Sequence, residues 1–123
     1  MRPSIQIKRI YDPPSASDGI RILVERLWPR GFRKDALQLD LWEKEVGAST
    51  SLRQWFGHAP EKWPEFQRRY HLELRQNPKH WQYIVDLAKR EPLTLLYSAR
   101  DTSHNNAVAF RLFLLEELRS VAS

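Results

Sequence analysis

Two short polar segments hold most of the side chains in this sequence that could do chemistry. The first reads Arg26-Leu-Trp-Pro-Arg-Gly31 with Lys34 just beyond it, and the second covers residues 98–105, SARDTSHN. A guanidinium group can donate two parallel hydrogen bonds to the oxygens of a phosphate or carboxylate, and a histidine side chain titrates near neutral pH. These residue types predict a site for an anion with one acid/base group beside it.

We assign ten residues to this predicted site. His104 is the expected acid or base, with Asp101 as its helper. The ligand-binding residues are expected to be basic, aromatic and small polar side chains: Arg26, Trp28, Arg30, Lys34, His58, Ser98, Arg100 and Asn105. The predicted partner is an anionic small molecule, phosphorylated or nucleotide-like, clamped by Arg26, Arg30 and Arg100 at the first turn of the last helix.

The arginines of the first segment also have a purely structural interpretation. Arg26 and Arg30 could instead pair with carboxylates elsewhere in the chain, namely Asp40, Glu43 or Asp101. They would then hold the loop in place, and the site would lose two of its cations.

The other candidates have structural alternatives as well. Trp28 fits packing in the core or at its rim better than stacking on a ligand. His104 or Asn105 could serve only as a helix cap. For Asp101, a salt bridge to Arg100 is favoured over orientation of His104.

A metal site or a familiar cofactor site finds little support in the sequence. His58 and His104 with Asp101 could hold a metal, but no HxH, HExxH or paired-carboxylate spacing occurs and the chain has no cysteine. With four glycines, a dinucleotide fingerprint is excluded. We predict no metal and assign no cofactor. His58 is expected either to cap its turn or to reach the anion site.

The composition is that of one ordinary globular domain over residues 1–123. Hydrophobic residues make up 41% and charged residues 28% of the chain, and the net charge is +5. The positive surplus favours anionic partners. No apolar run approaches the roughly 18 residues that a membrane span needs, and no signal-peptide pattern opens the chain. These features predict a cytoplasmic protein with no membrane association.

The elements that must position the site follow from periodicity and turn residues. Strands are predicted at 4–10, 20–27 and 93–98, and helices over 35–46, after 49–50, from 60 to 74, from 78 to 88, and over 107–118. A helical crossover joins the second and third strands, so these two should be parallel. The predicted fold is α/β, a single compact domain with a small, mostly parallel sheet of about three strands and helices packed on it. Both polar segments should meet at the carboxyl ends of the strands, where such sheets bind ligands.

The sequence resembles a known bacterial family, domain of unknown function 488, in its YeaO-like branch. The resemblance runs over nearly the whole chain and is carried by six stretches: Tyr11-Asp-Pro-Pro with Asp18-Gly19, Arg26-Leu-Trp-Pro-Arg-Gly31 with Lys34, Asp40-Leu-Trp42 with Lys44, Leu52-Arg-Gln-Trp-Phe-Gly-His58, the Arg-Tyr…Glu-Leu pattern of 66–74, and Leu95-Leu-Tyr-Ser-Ala-Arg-Asp101 with His104-Asn105. It implies a small α/β domain of the bacterial cytoplasm and brings no established activity.

One departure from the wider family limits what the resemblance can imply. Other branches carry Cys and His where this chain has Tyr97, Asn105 and Asn106. A thiol-based or cysteine-metal role in those relatives therefore cannot operate here. The recurring arginine, tryptophan and histidine positions coincide with the site predicted from strand topology.

Three functions remain open at this point. The favoured one is an anion-binding enzyme or ligand sensor. The second is a nucleic-acid-binding or regulatory module without catalysis, which predicts a continuous basic surface where Trp28 could be exposed for stacking. The third is a protein-interaction domain, which requires an exposed apolar patch of several hundred Å². The sequence leaves the oligomeric state open.

Overall fold

A parallel sheet organises the protein, seen here in a computed structural model that describes residues 4–122, with the side chains of residues 34, 121 and 122 outside the description. Its strands within that range are β1 (Ile5–Arg9), β2 (Ile20–Leu23), β3 (Leu41–Trp42) and β4 (Leu93–Tyr97). They lie in the order β1-β4-β2-β3, and every pairing is parallel. The predicted α/β fold with its mostly parallel sheet is confirmed.

Strand β3 corrects the prediction of a helix over 35–46. The backbone of this segment pairs with β2 instead of with itself, since the Asp40 amide donates to the Arg21 carbonyl (2.9 Å) and the Glu43 amide to the Leu23 carbonyl (3.0 Å). The Asp40 carboxylate also accepts from the Arg21 amide (2.8 Å). Amides used in this way cannot make the i→i−4 bonds of an α-helix. Only short 3₁₀ turns, Lys34–Ala36 and Lys44–Val46, flank the strand.

Strand β4 is the centre of the sheet. It pairs with β1 on one side, Ile7 opposite Leu95, and with β2 on the other, Ile22 opposite Leu95. All five of its residues are buried, as expected for a strand with neighbours on both sides and both faces covered. The carboxyl ends of β1, β4 and β2 therefore come out at one edge of the sheet.

The described range contains four α-helices, three between β3 and β4 and one after β4: α1 (Thr50–Phe56), α2 (Trp63–Arg75), α3 (Gln82–Ala88) and α4 (Asn106–Ala122). Ser49 caps the N-terminus of helix α1, where its hydroxyl accepts a hydrogen bond from the Leu52 amide. Helix α2 buries Phe66, Tyr70 and Leu74, the face that the three-and-four spacing predicts. None of the described helices is long and apolar enough to cross a membrane.

The two faces of the sheet are covered differently. The helices pack on one face and form the main core, to which Ile22 and Leu95 belong. The other face carries a small cluster of Ile10, Leu23 and Leu96. Partly buried side chains of the 28–42 segment cover that cluster in place of a helix: Trp28, Phe32, Leu37, Leu39 and Trp42. This covering segment begins with Trp28 of the first polar segment, so that part of the polar segment is packed against the sheet.

Candidate functional site

An open cleft of about 800 Å³ lies at the carboxyl ends of β1, β4 and β2. We call it the strand-end cleft. It is lined by residues 25–30 after β2, by residues of the 47–58 segment around α1, by 98–99 and 104–106 between β4 and α4, and by Tyr11 and Phe66. This is the edge at which an open parallel sheet is expected to receive a ligand.

The cleft brings together seven of the ten residues that the sequence predicts for the site: Arg26, Trp28, Arg30, His58, Ser98, His104 and Asn105. Arg100 is exposed, and it is not among the lining residues, nor is Asp101. The Lys34 side chain lies outside the described residues. The three arginines of the predicted clamp therefore do not converge, since Arg26 and Arg30 line the cleft and Arg100 does not.

Arg26 is tied to the backbone of the opposite wall. Its Nε donates to the carbonyls of Gly47 (2.9 Å) and Ala48 (3.0 Å). Its one carboxylate partner among the described residues is Glu45, with 3.7 Å between Nη1 and Oε2, and not any of the three carboxylates considered from sequence. Arg26 thus joins the end of β2 to the turn before α1 and places a fixed positive charge on the cleft wall.

Arg30 and Arg53 supply two more guanidinium groups. Arg30 is exposed and, among the described residues, has no hydrogen-bond or ion-pair partner. Arg53 donates from Nε to the Ala48 carbonyl (3.2 Å) and from Nη2 to the Thr50 hydroxyl (3.1 Å). Sequence reasoning missed Arg53, because one arginine on a short amphipathic helix carries no local sign that it faces a cleft.

Glu25 is the acidic group of the cleft, and sequence reasoning missed it as well. Its Oε1 accepts from the Ser98 amide (2.7 Å) and its Oε2 from the Ser98 hydroxyl (3.2 Å). Burial raises the pKa of this carboxyl, although the two Ser98 bonds and the charge of Arg53 oppose the shift. The available signal was a glutamate set inside the apolar run of residues 22–27, a position where a charge needs a partner.

Trp28 is held in place by packing, as the structural interpretation predicts. Its indole Nε1 donates to the Phe32 carbonyl (2.8 Å), and its ring meets that of Trp42 edge-on, with 5.1 Å between centroids. Trp42 in turn donates from Nε1 to the Glu25 carbonyl (2.7 Å). The Trp28 ring is therefore a rigid part of the wall.

His104 is oriented by Asp101, which corrects the expectation of an Asp101–Arg100 salt bridge. The distance between His104 Nδ1 and Asp101 Oδ2 is 3.0 Å, and Asp101 Oδ1 accepts from the amides of Ser103 (2.9 Å) and His104 (3.0 Å). The hydrogen bond from the Ser103 amide and, to a smaller extent, the one with the His104 side chain lower the pKa of Asp101. The indole of Trp63 packs edge-on against the imidazole, 5.3 Å between centroids. With Nδ1 engaged, Nε2 is the ring nitrogen left for a ligand.

Asn105 caps helix α4, as its structural alternative predicts. Its Oδ1 accepts from the Val108 amide (3.0 Å), and its Nδ2 donates to the Asp101 carbonyl (2.9 Å). One of the free amides that an anion could use at this helix start is therefore occupied.

His58 is exposed and lies in the lining of the cleft. It has a positive φ of 58° directly after Gly57.

Asn106 connects three segments around the cleft. Its Nδ2 donates to the Val24 carbonyl after β2 (2.8 Å), and its Oδ1 accepts from the Ala48 amide before α1 (2.8 Å). It stands at the first residue of α4. This residue was noted from the sequence only as a departure from other branches of the family, and its structural role depends on contacts distant along the chain.

Comparison with known proteins supports the resemblance seen in the sequence. A family model described as the inactive DUF488-N3 subclade matches residues 4–123. The uncharacterized protein YeaO of Escherichia coli is 48% identical over 96% of this chain and 99% of its own. The uncharacterized protein Rv3073c of Mycobacterium tuberculosis is 41% identical over 89% of this chain and 92% of its own. No solved structure gives a significant match.

Proposed function

The chain belongs to the inactive DUF488-N3 subclade, and from that premise we propose that it binds an anionic, nucleotide-like small molecule in the strand-end cleft without transforming it. The description of the subclade as inactive speaks against the acid/base role that the sequence allows for His104 and Asp101. In the proposal, Asp101 fixes the imidazole through Nδ1, and the free Nε2 of His104 is a hydrogen-bonding group for the ligand.

The observation that carries the proposal is the charge balance of the cleft. Three guanidinium groups, those of Arg26, Arg30 and Arg53, share its lining with one carboxylate, Glu25. That carboxylate already accepts two hydrogen bonds from Ser98. A concave site with a surplus of positive charge concentrates anions.

The three arginines of the cleft are expected to contribute to binding in different ways. Arg26 and Arg53 are held by backbone carbonyls, so their charges are in position before a ligand arrives. A guanidinium has five N–H donors, and each of these two keeps donors that its described contacts do not use. Arg30 has no competing partner among the described residues, and it is the arginine that we expect to close on an incoming phosphate or carboxylate.

The size and apolar part of the cleft suit a nucleotide-like molecule. Small-molecule sites have volumes of roughly 300–1,000 Å³, and the 800 Å³ of the cleft falls in that range. Tyr11, Trp28 and Phe56 contribute aromatic surface to the lining. A ring system could pack on these side chains while its anionic group meets the arginines.

Calorimetric titration tests the proposal with inorganic phosphate, ribose 5-phosphate, AMP, GMP and a short single-stranded oligonucleotide. We expect at least one small anion to bind, and Arg30→Ala to weaken that binding by about tenfold or more, the loss of one charge-assisted hydrogen bond. Arg100→Ala is the matched control, because it removes the same charge from an exposed position outside the cleft. Its affinity should stay within about twofold of the original.

Three results would contradict the proposal. Equal weakening by the two substitutions would indicate a diffuse charge effect and no site. Binding of the oligonucleotide alone, with a steep dependence on salt, would indicate a nucleic-acid surface. Conversion of the bound molecule during prolonged incubation, measured by chromatography, would restore an enzymatic function and the catalytic assignment of His104.

A further inference from the structure

Glu25 places a carboxylate in the lining of a cleft whose other charged groups are arginines. Glu25 lines the strand-end cleft, is partly buried, and carries the charge that an anionic ligand would avoid. An uncharged glutamine could make both contacts with Ser98, its oxygen accepting from the Ser98 amide and its NH₂ group donating to the Ser98 hydroxyl oxygen. Keeping a charge at a partly buried position costs desolvation free energy, which suggests that the carboxylate meets donors on a ligand.

The geometry of Glu25 is fixed by Ser98. Each carboxylate oxygen accepts one hydrogen bond, Oε1 from the amide at 2.7 Å and Oε2 from the hydroxyl at 3.2 Å. An ionised carboxylate has about four acceptor positions, so each oxygen retains capacity for a second donor. Both oxygens are held at the carboxyl end of β2, next to the loop that carries Arg30.

Resting on the proposed function, we infer that the ligand of the strand-end cleft is a guanine nucleotide, with the base held by Glu25 and the phosphate by the arginines. A carboxylate with two oxygens presented matches a pair of adjacent N–H donors. The Watson–Crick edge of guanine offers such a pair, N1–H and the N2 amino group. Adenine and cytosine each place an acceptor beside the amino donor, and uracil has a single N–H between two carbonyls. Guanine is therefore the common nucleobase that a carboxylate selects.

The surroundings of Glu25 fit this assignment. Burial raises the pKa of Glu25, and the Ser98 bonds and the charge of Arg53 oppose that shift; the N–H donors of guanine would oppose it further. The indole of Trp28 is fixed in the same loop by its bond to the Phe32 carbonyl, so the base can rest on a wall that does not need to be ordered on binding.

Titration calorimetry with GMP, IMP, AMP and ribose 5-phosphate tests the inference. IMP has only the N1–H donor, so affinity should fall in the order GMP, IMP, AMP, with GMP about tenfold or more tighter than AMP, the usual discrimination by a paired base contact. Glu25→Gln should weaken GMP binding by about tenfold and leave ribose 5-phosphate within about twofold. Glu91→Gln, an exposed position after α3, is the matched control and should change neither.

The outcomes separate this inference from the proposed function. If the nucleotides and ribose 5-phosphate bind through Arg30 but with no preference for guanine, or if Glu25→Gln weakens all of them equally, the guanine assignment is overturned and the anion site stands. If none of the four binds, the proposed function fails and the guanine assignment fails with it. A melting temperature for Glu25→Gln close to that of the unaltered protein shows that affinity losses come from the site.

Discussion

Replacing Asn106 with alanine should destabilise the protein by an amount that the structure allows us to work out. The Asn106 side chain makes two hydrogen bonds of 2.8 Å, to the Val24 carbonyl and from the Ala48 amide. Val24 and Ala48 are both fully buried, at 0% exposure. Alanine would leave one acceptor and one donor without their partner, at the junction of β2, α1 and α4.

The expected cost follows from these two groups. A buried polar group that loses its partner costs about 1–3 kcal/mol, which gives about 2–6 kcal/mol for the pair. Asn106 lines the open cleft, so water can replace part of what is lost. We therefore expect a decrease of about 2–4 kcal/mol in the free energy of unfolding, a large part of the 5–15 kcal/mol typical of a domain.

Urea unfolding followed by circular dichroism measures this change as a lower midpoint with an unchanged slope. Asn77→Ala is the control, because Asn77 is exposed and its one described side-chain bond, to the Glu73 carbonyl, is long at 3.5 Å. That variant should stay within about 0.5 kcal/mol of the original. A loss of less than about 1 kcal/mol for Asn106→Ala would refute the claim that this side chain holds the cleft together.

Three further predictions concern charged groups. Asp18→Asn should lower the free energy of unfolding by about 3 kcal/mol, because it leaves the buried Arg21 guanidinium without its carboxylate partner. Urea midpoints of the variant and the unaltered protein that agree within error would contradict this. Burial raises the pKa of Glu25 above the ordinary 4.5, so the folded state holds this proton more tightly and stability should fall as pH rises through the folded pKa. Glu25→Gln should flatten that part of the pH–stability curve, and an unchanged slope would count against the shift. The Ser103 amide and the His104 side chain lower the pKa of Asp101 below 3.8, so its contribution is present above that pH and disappears as pH falls through the folded pKa. Asp101→Asn should therefore melt at a lower temperature than the unaltered protein at pH 7, and this deficit should shrink as the pH falls below 3.8. A deficit that stays constant as the pH falls would refute the linkage.

The cleft at the strand ends could be predicted from the sequence because its position depends on topology. A helical crossover between the second and third predicted strands requires them to be parallel, and β2 and β4 are parallel neighbours. The segments that follow them therefore meet, and Arg30 and His104 line one cleft although they are far apart in the chain. Six of the seven predicted residues that line the cleft belong to these two segments, and His58 lies in the turn after α1.

The remaining features depend on contacts that no local pattern encodes. Leu41 and Trp42 have the spacing of a helix face, and they form a strand because the backbone around Asp40 bonds to Arg21 in β2. Arg100 has the residue type of a ligand clamp, but it does not line the cleft. Periodicity detects neither the distant backbone partner of β3 nor whether Arg100 lines the cleft.

The central place of β4 has a consequence for how the protein is made. Strands β1 and β2 do not pair with each other, and both pair with β4, so Ile5 must meet Leu93 from far along the chain. During synthesis β1 leaves the ribosome before its partner, and β2 has only the two residues of β3 to pair with. Contacts of such long range close slowly. A nascent chain stopped before residue 93 would have no sheet between these strands and no cleft. We expect β1 and the amides in and just after β2 that bond to β4, such as that of Val24, to become protected from hydrogen exchange together, only after β4 has emerged.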